Sequence, residues 1–198
     1  MNIGQALGYA VTIVNGSEGY TPVAFLDTLA SEPVWTIGHG TTRVAGQPVQ
    51  PGMTCTREQA DLWAMTDMTA AAHYVLEESK VPLNEFQLGA LISFCYNIGD
   101  GNFRASSVLE ALNLGLYTVA ANRLLEYDEA GGVVRGGLET RRGRERALFL
   151  LGCPHGALTL AAERASVEQA AADAETARED AETDALNQAS LDRIAKGK

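Results

Sequence analysis

The chain has 198 residues, with 15 lysines and arginines against 25 aspartates and glutamates, a formal charge of −10. Length and a hydrophobic content of 46 % permit one or two domains with a sizeable core, while the acidic balance argues against nucleic acid as a partner of the whole surface. Three widely spaced cysteines exclude a disulfide framework, and three histidines without partners at ligand spacing exclude a metalloenzyme, so no metal or cofactor is expected.

Ile3, Leu7, Val11 and Val14 recur every three or four residues, so residues 2–15 read as a short amphipathic helix closed by Asn15-Gly16. Residues 1–16 lack a basic leader and are too broken by polar groups to span a membrane, which predicts a chain made and kept in a cytoplasm. Glu18 follows the helix on the continuation of its apolar face. Residues 20–54 are rich in Pro and Gly around short apolar runs, Val23-Ala24-Phe25-Leu26 and Val34-Trp35-Thr36-Ile37, a pattern of strands and turns that predicts a small β-hairpin region.

Helical periodicity returns at Thr56, an N-cap candidate with Gln59 three residues on. Ala60, Trp63, Ala64, Asp67, Ala71 and Val75 share one face to about Glu78, a helix of about 33 Å. Pro82 opens the next unit, and residues 84–98 are apolar almost all round, as expected of a central helix; Cys95 within it reads as a buried free thiol. Shorter helices are expected at 106–113, 118–127 and 139–151. Beyond Gly152-Cys153-Pro154 comes an Ala/Glu-rich segment, 153–198, with nine acidic and five basic residues and no strong heptad seam. It reads as an exposed helical or frayed tail, or as a docking element for a partner.

Breaking a glycosidic bond needs a proton for the leaving oxygen and a second carboxylate to manage the oxocarbenium-like centre. A carboxyl where an apolar helix face enters a cleft suits the first role, because desolvation favours its protonated form. Glu18 has that position, Asp27 ends the first predicted strand, and Thr36 closes the second. Such residues at loose spacing occur in many proteins, and the surrounding motifs add the specificity. Ser17-Glu18-Gly19-Tyr20, Asp27 and Thr36-Ile37-Gly38-His39-Gly40 resemble the active-site segment of the phage-type lysozymes, glycoside hydrolase family 24. Leu83-Asn84-Glu85-Phe86-Gln87, Leu91-Ile92-Ser93-Phe94 and Tyr96-Asn97-Ile98-Gly99 resemble the family's second-lobe helix. Ala130-Gly131-Gly132, Gly137-Leu138, Arg141-Arg142 and Glu145-Arg146-Ala147-Leu148-Phe149 form a third matching block.

The resemblance, over about residues 3–151, implies an α+β, mostly helical fold of two lobes. A β-containing lobe (about 18–55), a linking helix (56–79) and a helical lobe (82–151) would make a catalytic domain of residues 1–152. It implies a muramidase that inverts at the anomeric carbon, with Glu18 as general acid, Asp27 as the carboxylate acting on water and Thr36 assisting. Tyr96, Asn97 and Ser107 would line the cleft, with His39 on its wall. Arg141, Arg142, Arg144 and Arg146 read either as a charged helix surface or as an attraction for anionic wall polymer, with Arg141 at the cleft edge. The implied partner is the peptidoglycan glycan strand. A holin for release, or a virion component engaged through residues 153–198, would set the biological context: host cytoplasm before lysis, or the virion.

Two departures stand out in the motifs. Eight residues separate Asp27 from Thr36, three more than the family's usual five, which should lengthen the hairpin tip. The family also favours His after the second glycine of T-I-G-x-G; here that position is Thr41, and His39 stands two residues earlier. The His that would pair with an acid at Asp67 is thus absent or relocated. The rival reading is a lysozyme-like domain whose catalysis has lapsed and which serves in wall binding or virion assembly.

Overall fold

The architecture is that of a computed structural model, which describes residues 1–17, 19–28, 33–130 and 133–153. Glu18, the hairpin-tip residues 29–32, Gly131-Gly132 and all of the tail from Pro154, with its expected helix, lie outside the described residues.

Helix α1 (Ile3–Asn15) is capped by Asn2, whose side chain accepts from the Gln5 N–H. It ends at Asn15, where the Asn15-Gly16 pair predicts. β1 (Thr21–Asp27) and β2 (Val34–Gly38) form an antiparallel hairpin, and β3 (Arg43–Val44) and β4 (Gln47–Pro48) a second, short one. Residues 53–55 flank β1 on its other side: Ala24 N–H donates to Met53 O at 2.8 Å and Cys55 N–H to Pro22 O at 2.9 Å. This lobe has a small core of Ala24, Ile37, Val49, Cys55 and Ala60.

Helix α2 (Arg57–Glu78) has the expected capping box, with Thr56 and Gln59 satisfying each other's backbone N–H groups. Its buried residues Ala60, Ala64, Met68, Ala71, Ala72 and Val75 keep helical spacing along 22 residues, so one stripe serves both lobes in turn. Helix α3 (Glu85–Ile98) is the hub of the helical lobe, buried continuously from Gln87 to Cys95. Asn84 caps its start and donates through Nδ2 to Gly152 O at 2.8 Å, tying the helix to the far end of the domain's sequence. Gly89 lets α1 approach: a Cβ there would stand 2.9 Å from both Ala6 O and Tyr9 Cβ.

The remaining elements are α4 (Asp100–Arg104), α5 (Ser107–Asn113), α6 (Tyr117–Arg123) with a 3-10 turn at Leu124–Glu126, the strands β5 (Glu129–Ala130) and β6 (Val133–Val134), and α7 (Gly136–Leu151). Helix α4 is not visible in the pattern because it is short, with Gly99 before it and Gly101 within it; burial of Phe103 edge-on to Phe94 and Tyr74 holds it. The mostly helical α+β class is as expected. Among the described residues, no helix is long and apolar enough to cross a membrane.

The basic cluster is where the structure departs most from expectation. Arg141 and Arg142 are 1 % and 0 % exposed, gathered around Glu145, itself 0 % exposed. Arg141 Nε meets Glu145 Oε1 at 3.1 Å, and Ser93 Oγ donates to the same oxygen at 2.7 Å. Arg142 pairs with Glu145 Oε2, donates through Nε to Tyr127 O at 2.9 Å, and lies 4.8 Å over the Phe94 ring. These two arginines are part of the core of the helical lobe. The reading of a surface patch is corrected for them. Buried guanidinium groups persist here because a carboxylate and carbonyl oxygens replace the lost water.

Candidate active site

The hairpin register sets the first wall of the site. Asp27 pairs with Val34 and Phe25 with Thr36, so residues 25, 27, 34 and 36 share one face, since directly paired residues point the same way in an antiparallel ladder. Asp27 and Thr36 are diagonal neighbours, about 7 Å apart at Cβ. Thr36 is the third of five residues in β2, not its last, and its hydroxyl donates to Val34 O at 3.3 Å. Asp27 and Thr36 both lie within the paired residues of the hairpin, so the eight residues between them leave the two side chains on a common face.

That face borders a groove of about 600 Å³ between the lobes. Asp27, Thr36, Thr42 and Arg43 line it from the β side, Asp67, Ala70 and Ala71 of α2 form its floor, and residues 95–100 at the end of α3 make the opposite wall. Alanines on the floor leave room that larger side chains would fill. Gly99, with φ of 82°, stops α3 and turns the chain away at the rim. The groove thus brings Asp27, Thr36, Tyr96 and Asn97 together. Tyr96 reaches across it, donating from its hydroxyl to His39 O at 2.7 Å, and Asn97 Oδ1 is held by Arg142.

Two of the expected substrate contacts are placed differently, and a third stands on the groove wall with its ring engaged by protein. Ser107 does not line the groove; it starts α5, its N–H donating to the Tyr127 hydroxyl at 3.0 Å. Arg141 is buried behind Ser93, to whose carbonyl its Nη2 donates at 2.9 Å, so it offers no exposed edge to a polymer. His39 stands on the groove wall, but its ring is 5 % exposed and both nitrogens meet protein oxygens: Nδ1 to Gly19 O at 2.9 Å and Nε2 to Asp61 Oδ1 at 2.8 Å. Its side chain is a strut between the Gly19 carbonyl and Asp61.

The same geometry answers what became of the His–Asp pair. Ile37 and Thr41 close a tight loop by reciprocal N–H···O bonds of 3.0 Å, and Gly38 and Gly40, at φ of 67° and 100°, flank His39 at its tip. Thr41 occupies the site facing Asp67, with a 3.5 Å contact. The histidine, two residues back, reaches Asp61 instead, six residues earlier on α2. Asp67 is left in the groove with a hydroxyl for company, and burial pushes its carboxyl above the usual range, the Thr41 hydrogen bond pulling weakly the other way. Asp61 escaped the sequence reading because its pairing depends on where the G-H-G turn points.

Held on both sides is the segment in which Glu18 falls. Arg144 of α7 donates to Gly16 O at 2.8 Å, and His39 holds Gly19 O. Glu18 itself is outside the described residues, so its candidacy rests on its place in the motif and on these flanking anchors.

Comparison with known proteins gives a consistent result. The chain is 38 % identical over 147 residues to the endolysin of Salmonella phage P22, covering 74 % of this chain and 98 % of that protein. It is 33 % identical over 152 residues to the SAR-endolysin of Enterobacteria phage P21, covering 75 % and 90 %. The endolysin of Bacillus phage B103 is 35 % identical over 152 residues, 77 % of this chain, but the chain spans only 55 % of that protein's length. Among solved structures, the muramidase domain of SpmX from Asticaccaulis excentricus superposes with a TM-score of 0.63 at 32 % identity, covering 73 % of this chain and 95 % of that one. A P22 lysozyme variant superposes at 0.59 and 37 % identity, covering 71 % and 94 %. With the phage lysozyme profile matching residues 15–145, the chain belongs to the phage lysozyme family.

Proposed function

We propose that this protein hydrolyses the glycan strands of peptidoglycan, cutting the β-1,4 bond between N-acetylmuramic acid and N-acetylglucosamine with inversion. One observation carries the reading: Asp27 and Thr36 share a hairpin face that opens on a groove between two lobes, across from Tyr96 and Asn97. In this mechanism Glu18 protonates the leaving oxygen, Asp27 accepts a proton from the attacking water, and the Thr36 hydroxyl helps hold that water. An inverting site needs space for water between its carboxyls, about 6.5–9.5 Å. With its Oδ1 taken by Arg142, Asn97 turns its N–H2 to an acetamido or hydroxyl oxygen of the sugar. Relatives carrying the name endolysin support a lytic role; in that setting a holin would release the enzyme to the wall, and a virion-borne enzyme attached through residues 153–198 is the second setting.

Clearing of purified murein by the full chain tests the mechanism. Glu18→Gln and Asp27→Asn should each lower kcat by at least about 10²-fold, the low end expected for loss of a general acid or base. Unchanged clearing by Glu18→Gln would overturn the acid assignment. The new reducing end should appear first as the α-anomer by proton NMR, and a β-anomer would rule out inversion. Absence of clearing by the wild-type chain, with binding to murein retained, would favour the lapsed wall-binding module.

A further inference from the structure

His39 ties together separate parts of the β-lobe site. Its Nδ1 faces a backbone carbonyl, Gly19 O at 2.9 Å, and its Nε2 faces a carboxylate, Asp61 Oδ1 at 2.8 Å. Both partners are acceptors only. A neutral imidazole has a single N–H, and its second nitrogen would then confront an oxygen lone pair; only the imidazolium donates to both at once. The other groups around the ring fit this. The Tyr20 ring lies 5.8 Å away, centroid to centroid and tilted, and the Tyr96 hydroxyl contacts the His39 main chain. Arg57 stacks over Tyr20 with Cζ 4.6 Å from the ring centroid and lines the same small cavity. It is the cation facing the imidazolium, and Asp61, at 2.8 Å, is the closer charge.

We propose that His39 acts as a charged positioning residue: as imidazolium, held by Asp61, it grips the carbonyl of Gly19 and thereby fixes the backbone next to the catalytic acid. Loss of the proton leaves one N–H. The carboxylate is the stronger acceptor and keeps it, so the Gly19 bond is the one released. The acid then loses its placement, and misplacement by about 1 Å is enough to cost about 10²-fold in rate. The proposal rests on Glu18 as the acid, and its test separates the two ideas.

The first measurement is a long-range proton–nitrogen-15 correlation spectrum of the full chain at about pH 6 to 7, close to the intrinsic titration of histidine. Two protonated ring nitrogens on His39 support the proposal, and a neutral tautomer overturns it, whatever Glu18 does. The second is kinetic, on soluble murein glycan fragments. His39→Gln should lower kcat about tenfold or more while KM stays within about twofold, because the ring touches the scaffold and not the sugar. Asp61→Asn offers an amide that can donate to Nε2, so a neutral ring can keep its single N–H on Nδ1 for the Gly19 carbonyl. Its kcat should stay nearer to wild type than that of His39→Gln and fall less as the pH is raised; a loss as large as that of His39→Gln would overturn the release step. Thermal unfolding of each variant separates folding from placement: a lowered midpoint with full kcat well below it would reduce His39 to a structural role and overturn the inference. A Glu18→Gln chain that clears murein normally would remove the acid assignment while leaving the ring spectrum to decide the anchor.

Discussion

The two lobes are held together by different means. The helical lobe surrounds α3 with fully buried Phe94, Phe103, Phe149, Leu88, Leu91 and Leu112, and adds the buried Arg141–Glu145–Arg142 network. The β lobe has five small or medium core residues and leaves Val23, Phe25 and Leu26 largely exposed on β1. Its shape comes from glycine turns, crossed backbone bonds and His39. Apolar burial at about 25 cal/mol per Å² stabilises the first lobe broadly, whereas the second depends on a few directional contacts. The proposed chemistry sits on the second, Asp27 and Thr36 both being on the hairpin. A site that must admit a polymer belongs where opening costs little, with the rigid lobe serving as an anvil.

The sharpest way to break this contrast is Glu145→Ala. It leaves two buried guanidinium groups without their shared carboxylate, and should cost about 3–5 kcal/mol in urea unfolding. A loss below about 1 kcal/mol would mean that the network adds little to the lobe. Next is Gly38→Ala in the β lobe, where φ is 67° and a Cβ would stand 2.8 Å from Ala60 Cβ. We expect a cost of about 1–3 kcal/mol from strain and overlap, seen as faster hydrogen exchange in β1 and β2 while α3 stays protected. Equal acceleration in both lobes would show that they open as one unit.

A smaller and opposite change is expected at the β3–β4 turn. Ala45 has φ of 50° beside Gly46 at 78°, a two-residue turn that favours Asn-Gly. Ala45→Asn should stabilise that turn by about 0.5–1 kcal/mol, measured as slower exchange of the Val44 and Gln47 amides. The smallest effect concerns Asp67. Burial raises its folded-state pKa, so ionisation opposes folding, and its contribution to stability falls as pH rises through that raised value. Asp67→Asn should therefore raise the thermal midpoint at neutral pH and lose its advantage in acid, where the native residue is already protonated. An advantage independent of pH would point to packing instead of charge.

Much of the helical frame was legible in the residues. The N-cap at Thr56 with Gln59, the stripe from Ala60 to Val75 and the apolar run around Leu91 are local patterns, fixed within one or two helical turns. Asp27 and Thr36 were legible as a pair because strand alternation is local too, although their register, with Asp27 against Val34, needed the paired strands. Arg141 was misread because charge in a sequence looks like surface. Nothing within a few residues reveals that Ser93, 48 residues away in the chain, accepts its Nη2. Ser107 likewise matched a motif position, yet its N–H is taken by Tyr127.

The sequence alone determined where the longer helices α1, α2 and α3 start and stop, which of their faces are apolar, and which family motif surrounds Glu18, because propensity, capping and periodicity act over a few residues. The fold decided which groups meet across long separations: His39 with Asp61 and Gly19, Tyr96 with the His39 carbonyl, and two arginines with one buried glutamate. The physical reason is that an ionisable side chain takes its role from its solvent and its partners, and both are set only when distant segments pack together.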